Sequence, residues 1–383
     1  MKEKSSRSFL VITFVLIIAL PAYNSISYFL SLWGIPFLVR MYHIYLILDI
    51  YLIVLLGKYK FSIKKIFVFF AVLAFYGVNY CYAKEETRLY YSADVLVSLF
   101  VALPISCLAI SRITNWNDLF DNWIYLYIVD GIIVFSLLSK VSAYNGSDYM
   151  SYSYSLLPLW GICYVSALYY NHTSQWFFWG IGIAEGLLYG ARAPIAWIAV
   201  LALVTWMILL IESIKKRDFK KIIPISLFLI GIVICVVGLI FIVWNCSSVD
   251  GSYILKRLQD GSFFISAGRS QLYVECENVI RSIGCTINGL FYDRTVLPNG
   301  WYAHSFVYEA IISFGWPLGI LFIVTITYAI VRAFLIQDTA GKIIISYVFC
   351  SFFLRYFISG SIFDEPGFIM FVAMIYSLQS KSI

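Results

Sequence analysis

Long apolar runs separated by short polar stretches dominate the chain. A membrane-spanning helix needs roughly 20 mostly apolar residues, because lipid offers no water to backbone N–H and C=O groups and a helix satisfies them within one segment. The runs have that length, and they predict about twelve spanning helices. The predicted spans are residues 9–31, 41–57, 66–82, 94–111, 119–139, 154–170, 175–190, 194–211, 222–244, 306–331, 343–362 and 366–379.

Composition agrees with this pattern. Hydrophobic residues make up 62% of the chain and charged residues 13%, and the mean hydropathy of +0.86 lies far outside the range of soluble domains. The predicted fold class is therefore all-α: a polytopic membrane protein that forms a single integral membrane domain over residues 1–383.

The basic residues indicate the orientation, because short cytoplasmic loops carry an excess of Lys and Arg. One set of alternate loops holds the basic clusters at 58–65 and 215–221. The short loops of the opposite set hold only Arg40, Lys84, Arg88, Lys140 and Arg192. Both termini are therefore predicted to be cytoplasmic. Topology explains the net charge of +6, so no nucleic-acid partner is expected.

One connection is unusually long, and it lies on the predicted extracytoplasmic side: residues 246–303. Within it, apolar residues at spacings of three and four predict an amphipathic helix over 268–283. Arg269 falls in its first turn, where unpaired N–H groups and the positive dipole end favour an anion. The alternative is an exposed arginine that pairs with Glu275 or a lipid headgroup.

Two further polar residues share this predicted side of the membrane. Arg192 lies in the tight GARAP connection, where Gly190 and Pro194 separate two spans. His304 opens the tenth span directly after the long loop. Taken singly, the arginine has the alternative of snorkelling to headgroups, and the histidine that of a satisfied interfacial side chain. Together with Arg269 they form a candidate site for an anionic, lipid-linked substrate.

Motifs for other chemistries are missing from the sequence. It holds no CxxC zinc pattern, HExxH or Walker motif, so neither a metal nor a cofactor is predicted. Four cysteines lie in predicted outer positions, Cys81, Cys246, Cys276 and Cys285, and their spacing singles out no disulfide.

Three stretches carry a resemblance: GARAPIAW, SAGRSQLYVECENVIRSIG and WYAHSFVYEAIISFGWPLG. In order and spacing they are similar to the Arg, GR and HN-type motifs of the O-antigen polymerase and O-antigen ligase family, which are polytopic membrane glycosyltransferases with a long periplasmic loop. One residue departs from the family pattern: Ser305 stands where the family often has Asn. Any contact that the Asn amide makes in the family is therefore in doubt here.

The resemblance implies transfer of a glycan from an undecaprenyl-pyrophosphate carrier at the periplasmic face of the bacterial inner membrane. Its partners would be the lipid-linked glycan and the bilayer, and a chain-length regulator stays open as a third. Guanidinium binds phosphate oxygens through two parallel hydrogen bonds, so Arg192 and Arg269 are assigned to substrate binding. His304, with an ordinary pKa of about 6.5, is assigned as the catalytic base.

Several alternatives remain open at this point. Glu309 is a second candidate for the base, and His43 a third. Arg355, inside a predicted span, either pairs with Asp364 and Glu365 or adds another cation for the carrier. The preferred activity is that of an O-antigen polymerase, and the alternatives are an O-antigen ligase that transfers glycan to lipid A core and a flippase of lipid-linked glycans.

Overall fold

The computed structural model describes residues 2–35, 63–91, 108–110, 112–113, 115–143, 149–217, 223, 226–227, 230–231, 253–260, 269–363 and 365–379. Every regular element within these residues is helical. The longer helices are α1 (Lys2–Leu32), α2 (Ile63–Tyr82), α3 (Trp123–Ala143), α4 (Tyr149–Leu168), α5 (Gln175–Tyr189), α6 (Arg192–Lys216), α7 (Tyr253–Gln259), α8 (Arg269–Ile283), α9 (Phe306–Ile336), α10 (Thr339–Val348) and α11 (Pro366–Gln379). Single helical turns lie at Glu85–Arg88, Asp118–Asp121, Asp293–Val296 and Pro298–Gly300.

Helices lie at the predicted apolar runs that the structure describes, although their ends differ by several residues and the run 343–362 is interrupted; the count of about twelve spans is not confirmed. The amphipathic helix predicted over 268–283 is α8, and the tight connection before Arg192 separates α5 from α6. The predicted span 41–57 and nearly all of 94–111 and 222–244 lie outside the described residues.

Four described helices are long and apolar enough to cross a membrane: Ser6–Leu32, Arg192–Lys216, Phe306–Ile336 and Thr339–Phe357. The chain is thus a helical membrane protein. The second half of α9 exposes large apolar side chains such as Leu321, Val324 and Leu335, as a surface that faces lipid does.

Helix α4 lies at the centre of the described bundle. Its residues from Tyr152 to Ala167 are all buried. It packs against α1, α3, α5, α6 and α10, while α1 packs along α3 and α8 packs on α9. Neighbouring helices therefore enclose α4 over most of its length.

Helix α9 is broken at Gly315, which has a φ of +72°. The break leaves the Ser313 carbonyl oxygen free to accept hydrogen bonds from the backbone N–H of Asn288 (3.0 Å) and Gly289 (2.8 Å). The Trp316 N–H donates to the Gly284 carbonyl at 3.2 Å. The segment that follows α8 is therefore bonded into the break, and it fixes the first half of α9.

The predicted span 343–362 is not one regular helix. Helix α10 ends at Val348, a π-helical turn follows at Phe349–Phe353, and a 3₁₀ turn follows at Leu354–Phe357. These turns change the direction in which side chains leave the helix. The change precedes Arg355, whose Nη2 atom lies 2.6 Å from Oε2 of Glu365.

The break in α9 yields a stability prediction. A Cβ added at Gly315 would lie 2.5 Å from the Thr286 carbonyl oxygen, and the positive φ strains any L side chain. We expect Gly315→Ala to reduce the free energy of unfolding by about 1–3 kcal/mol, measured by thermal unfolding of the purified protein in detergent. The matched control is Gly180→Ala in α5, where an added Cβ meets nothing within 4 Å. An unchanged unfolding temperature for Gly315→Ala would contradict the assigned break.

Candidate functional site

The N-terminal ends of several helices meet at one end of the bundle. The Ala191 N–H donates to Ser153 Oγ at 2.9 Å, so α6 begins beside the start of α4. Glu365, which directly precedes α11, pairs with Arg355 just after the π turn. The Gly360 N–H donates to the Tyr302 hydroxyl at 3.4 Å, which connects this region to the segment before α9. Helix N-termini carry partial positive charge, so this end of the bundle favours an anion.

His304 has an unusual backbone conformation. Its φ is +51°, in the left-handed region that residues with a side chain seldom adopt. The preceding residue is held in place, because the Ala303 N–H donates to Asp293 Oδ2 at 2.9 Å. The His304 ring lies against Tyr302, with ring centroids 3.9 Å apart. Such conformations persist only where the surroundings impose them, and they are common at functional sites.

The electrostatic surroundings of His304 keep its ring neutral. Burial lowers its pKa most, and the guanidinium groups of Arg269 and Arg294 lower it further, to about 4. Its buried Nδ1 atom has no hydrogen-bond partner among the residues that the structure describes. At neutral pH the side chain is therefore an uncharged imidazole.

Helix α8 places Arg269 within electrostatic range of His304. Leu272, Cys276, Ile280 and Ile283 are buried, and α8 packs on α9 through this apolar face, which confirms the predicted amphipathic pattern. Arg269 is the first residue of the helix and is half-buried. Within the described ranges no carboxylate forms an ion pair with it, so the predicted alternative of a pair with Glu275 is not observed.

Arg192 is the first residue of α6 and is half-buried. It follows Ala191, which is bonded to Ser153, and the next residue of α4 is Tyr154. Tyr154 lies within the electrostatic field of Arg269. The structure thus places Arg269 within electrostatic range of His304, whereas for Arg192 it gives a position at the same end of the bundle.

Beside His304 lies a buried ionic cluster formed by Asp293, Arg294 and Glu309. Arg294 Nη1 lies 3.1 Å from Asp293 Oδ1 and 3.6 Å from Glu309 Oε1. Glu309 accepts further hydrogen bonds from the Ser361 hydroxyl and from the Ile362 N–H (3.0 Å). Both Glu309 oxygens are engaged and the residue is fully buried, so it is not placed to take a proton from a substrate.

The charge of this cluster does not cancel if both carboxyl groups are ionised. Among the described residues it holds two carboxyl groups and one guanidinium, and burial raises the pKa of Asp293 against the opposing pull of Arg294. A buried carboxylate without a counter-charge is costly, so one of the two carboxyl groups is expected to hold a proton. The cluster ties the turn Asp293–Val296 to α9 and to the segment before α11.

Asp293 and Arg294 were not predicted from the sequence. An Asp followed by an Arg within a loop is typical of a solvated turn, and the sequence contains no signal that this pair is buried. Arg355 was predicted with two alternatives, and the structure pairs it with Glu365. Asp364 and His43 lie outside the described residues.

Other polar groups have structural partners. Asp130 accepts a hydrogen bond from Gln175 at 2.9 Å, and Glu185 accepts one from the Tyr152 hydroxyl. In the described part of the chain, no group of three His, Cys, Asp or Glu side chains is placed to hold a metal ion. The described outer cysteines, Cys81, Cys276 and Cys285, are free thiols, and Cys246 lies outside those residues.

Comparison with known proteins gives no match: no family model fits the chain, and neither a curated protein nor a solved structure is similar to it. The resemblance to the O-antigen polymerase and ligase family therefore stays a prediction. The proposal of a function therefore rests on the geometry of the site.

The ionic cluster predicts an asymmetric response to substitution. Arg294→Met leaves two buried carboxyl groups without a cation, and we expect it to lower the free energy of unfolding by about 3–5 kcal/mol. Glu309→Gln leaves the Asp293–Arg294 pair neutral, so the expected loss is only about 1 kcal/mol. Thermal unfolding in detergent measures both.

The control for these variants is Glu212→Gln, which removes the exposed pair between Glu212 and Lys216 and should change stability by at most about 0.5 kcal/mol. Equal losses from Arg294→Met and Glu309→Gln would show that charge compensation does not govern this cluster.

Proposed function

We propose that the protein is a membrane glycosyltransferase that joins undecaprenyl-pyrophosphate-linked oligosaccharide repeat units, as an O-antigen polymerase does. The observation that carries the proposal concerns two groups at an end of the bundle where helix N-termini meet. Arg269 forms no ion pair with a carboxylate of the described residues, and it lies within electrostatic range of His304, a neutral histidine in a strained backbone conformation. A diphosphate leaving group needs such a cation, and an acceptor hydroxyl needs such a base.

The proposed reaction breaks one bond and forms one. The bond between the anomeric carbon of the donor sugar and the diphosphate oxygen breaks, and undecaprenyl diphosphate leaves with the electron pair. The acceptor hydroxyl oxygen bonds to that carbon, and its proton passes to His304. Negative charge grows on the diphosphate during this step, so a fixed guanidinium at Arg269 stabilises the transition state more than the ground state. Arg192 is proposed as the second phosphate ligand.

The low pKa of His304 has a consequence for this chemistry. In the free protein the ring is neutral and can accept a proton, but the nearby guanidinium groups make it a weak base. A bound diphosphate offsets the charge of Arg269, which raises the pKa of His304. Donor binding thereby prepares the base for the acceptor.

The remaining parts of the proposal concern topology. We place about twelve spans in the bacterial inner membrane, with both termini in the cytoplasm and residues 246–303 in the periplasm. The lipid-linked glycan and the bilayer are the proposed partners, and a chain-length regulator would act on the same product. No metal is assigned, because the arginines supply the positive charge.

The central test is the surface glycan of a deletion strain complemented with variants. We expect Arg192→Ala, Arg269→Ala and His304→Ala each to reduce polymer at least tenfold and to leave single repeat units on the lipid A core, resolved on a gel. Matched controls are Arg281→Ala on the exposed part of α8 and His172→Ala, whose ring bonds to Asp121 at 2.9 Å away from the site.

The outcomes of this test separate the alternatives. Core without any repeat, while polymer accumulates on the carrier, would identify an O-antigen ligase. Repeat units retained on the cytoplasmic side would identify a flippase. Near-normal polymer from all three variants, at normal protein levels, would show that Arg192, Arg269 and His304 do not have the assigned roles.

The pH dependence of polymer formation provides a second test. Because the pKa of His304 in the free protein is about 4, kcat/KM should stay constant as the pH falls from 7 to 5.5 and decline only near pH 4. The acid limb of kcat should lie at higher pH, because the bound diphosphate offsets Arg269. Purified protein in lipid nanodiscs supplies both profiles. An acid limb of kcat/KM at about pH 6.5, the ordinary value of histidine, would contradict this description of the site.

A further inference from the structure

A cavity of about 370 Å³ lies between α1, α4, the π turn and α11. Its volume is near the lower end of the range of about 300–1,000 Å³ that is typical of small-molecule sites. The wall that α1 contributes is mostly apolar and includes Leu16 and Leu20. A polar wall, which includes Tyr154, Arg355 and Glu365, comes from α4, the residues that follow the π turn and the residue that precedes α11. The cavity therefore suits a compact ligand with both polar and apolar surface.

The polar wall presents a charged pair to the cavity. Arg355 Nη2 and Glu365 Oε2 are 2.6 Å apart, and their side chains keep 19% and 24% of their surface accessible. Gly360 makes room for the carboxylate, since a Cβ there would lie 2.7 Å from Glu365 Oε1. The pair is close to neutral overall, and its carboxylate repels anions. A diphosphate is therefore excluded from this cavity on grounds of charge.

The polar wall contains hydrogen-bond donors and acceptors that have no partner among the described residues. Tyr154 Oη, Ser351 Oγ and Arg355 Nε are buried and have no partner among the described residues, although buried polar groups are normally paired. A guanidinium beside a carboxylate offers donors and acceptors together. Sugar hydroxyls both donate and accept, so neighbouring hydroxyls of a sugar ring match this arrangement.

The cavity adjoins the candidate catalytic site. Tyr154 lines the cavity and lies within the electrostatic fields of both Arg355 and Arg269. Tyr302 contacts the His304 ring and lies within the field of Arg355. The Gly360 N–H, beside the Glu365 carboxylate, donates to the Tyr302 hydroxyl at 3.4 Å, so the polar wall of the cavity is linked to the residue that contacts His304.

We infer that this cavity binds a neutral, hydroxyl-rich sugar of the glycan, with the Arg355–Glu365 pair as its hydrogen-bonding partner. The inference rests on the proposed function and deepens it. Arg269, which forms no ion pair with a described carboxylate, binds the diphosphate, and Arg355, which is paired with Glu365, binds the sugar beside it. The sugar belongs either to the donor, next to its diphosphate, or to the end of the acceptor that receives the new bond.

Two probes test this division on purified protein in lipid nanodiscs. One is a repeat-unit oligosaccharide without diphosphate, prepared from the surface polysaccharide of the source bacterium, and the other is undecaprenyl diphosphate without sugar. We expect Glu365→Gln to weaken oligosaccharide binding about tenfold and to strengthen binding of undecaprenyl diphosphate, because Arg355 becomes an uncompensated cation. Arg269→Ala should weaken undecaprenyl diphosphate about tenfold and leave the oligosaccharide unchanged.

Two further variants make the result decisive. Glu212→Gln is the matched control for the loss of a carboxylate charge at an exposed pair, and neither affinity should change. If Glu365→Gln does not fold, as judged by thermal unfolding, Tyr154→Phe replaces it, because it removes only the unpartnered hydroxyl. We then expect a several-fold loss of oligosaccharide affinity. Oligosaccharide binding that is equal in wild type and in the folded variant would overturn the inference.

Two more arms complete the experiment. If the cavity binds the donor's sugar, undecaprenyl diphosphate that carries one sugar should bind more tightly than the carrier without sugar. Glu365→Gln should abolish this gain in affinity. If the cavity binds the acceptor's sugar, the sugar on the carrier should give no gain in affinity, and the oligosaccharide should bind at the same time as the carrier. If undecaprenol competes with the oligosaccharide both in wild type and in Glu365→Gln, the cavity binds a lipid chain. That result would overturn the inference. Failure of wild type to bind undecaprenyl diphosphate, with oligosaccharide binding that depends on Glu365, would reject the proposed function and leave the sugar site standing.

Discussion

A charge inside an apolar helical bundle has to be neutralised by the protein itself, because water is not there to solvate it. The fold meets this constraint in two places at the same end of the bundle. Asp293, Arg294 and Glu309 form one cluster, and Arg355 with Glu365 forms a second pair. The first cluster joins the turn at Asp293 to α9 and, through Ser361 and Ile362, to the segment before α11, so charge compensation also fixes how these loops close over the helices.

Against this background Arg269 differs from Arg294 and Arg355. It is half-buried at the start of an amphipathic helix, and the described carboxylates leave it without an ion pair. The apolar face of α8 holds the helix on α9, and this packing places the guanidinium within electrostatic range of His304. A cation that no described carboxylate neutralises, near an imidazole that stays neutral, is an arrangement suited to an anionic ligand. The proposed chemistry follows from that difference between compensated and uncompensated arginines.

Some residues of the site could be predicted from the sequence, and others could not. The helix over 268–283 and the position of Arg269 in its first turn followed from apolar spacing, and the structure agrees. The roles of Asp293 and Arg294 did not follow, because an adjacent acidic and basic residue in a loop has the same local pattern whether it is solvated or buried. Nor did the sequence decide between two roles for Arg355, since its partner depends on the π turn that precedes it.

Composition and apolar spacing were enough to predict an all-helical chain with membrane-spanning segments and the approximate positions of its helices. These features depend on composition and on a periodicity of a few residues, both of which are local properties of the chain. The ion pairs of the arginines, the enclosure of Glu309 and the left-handed conformation of His304 emerged only from the folded structure. Those features depend on which side chains meet across long stretches of chain, and burial then sets the electrostatic energy of each group.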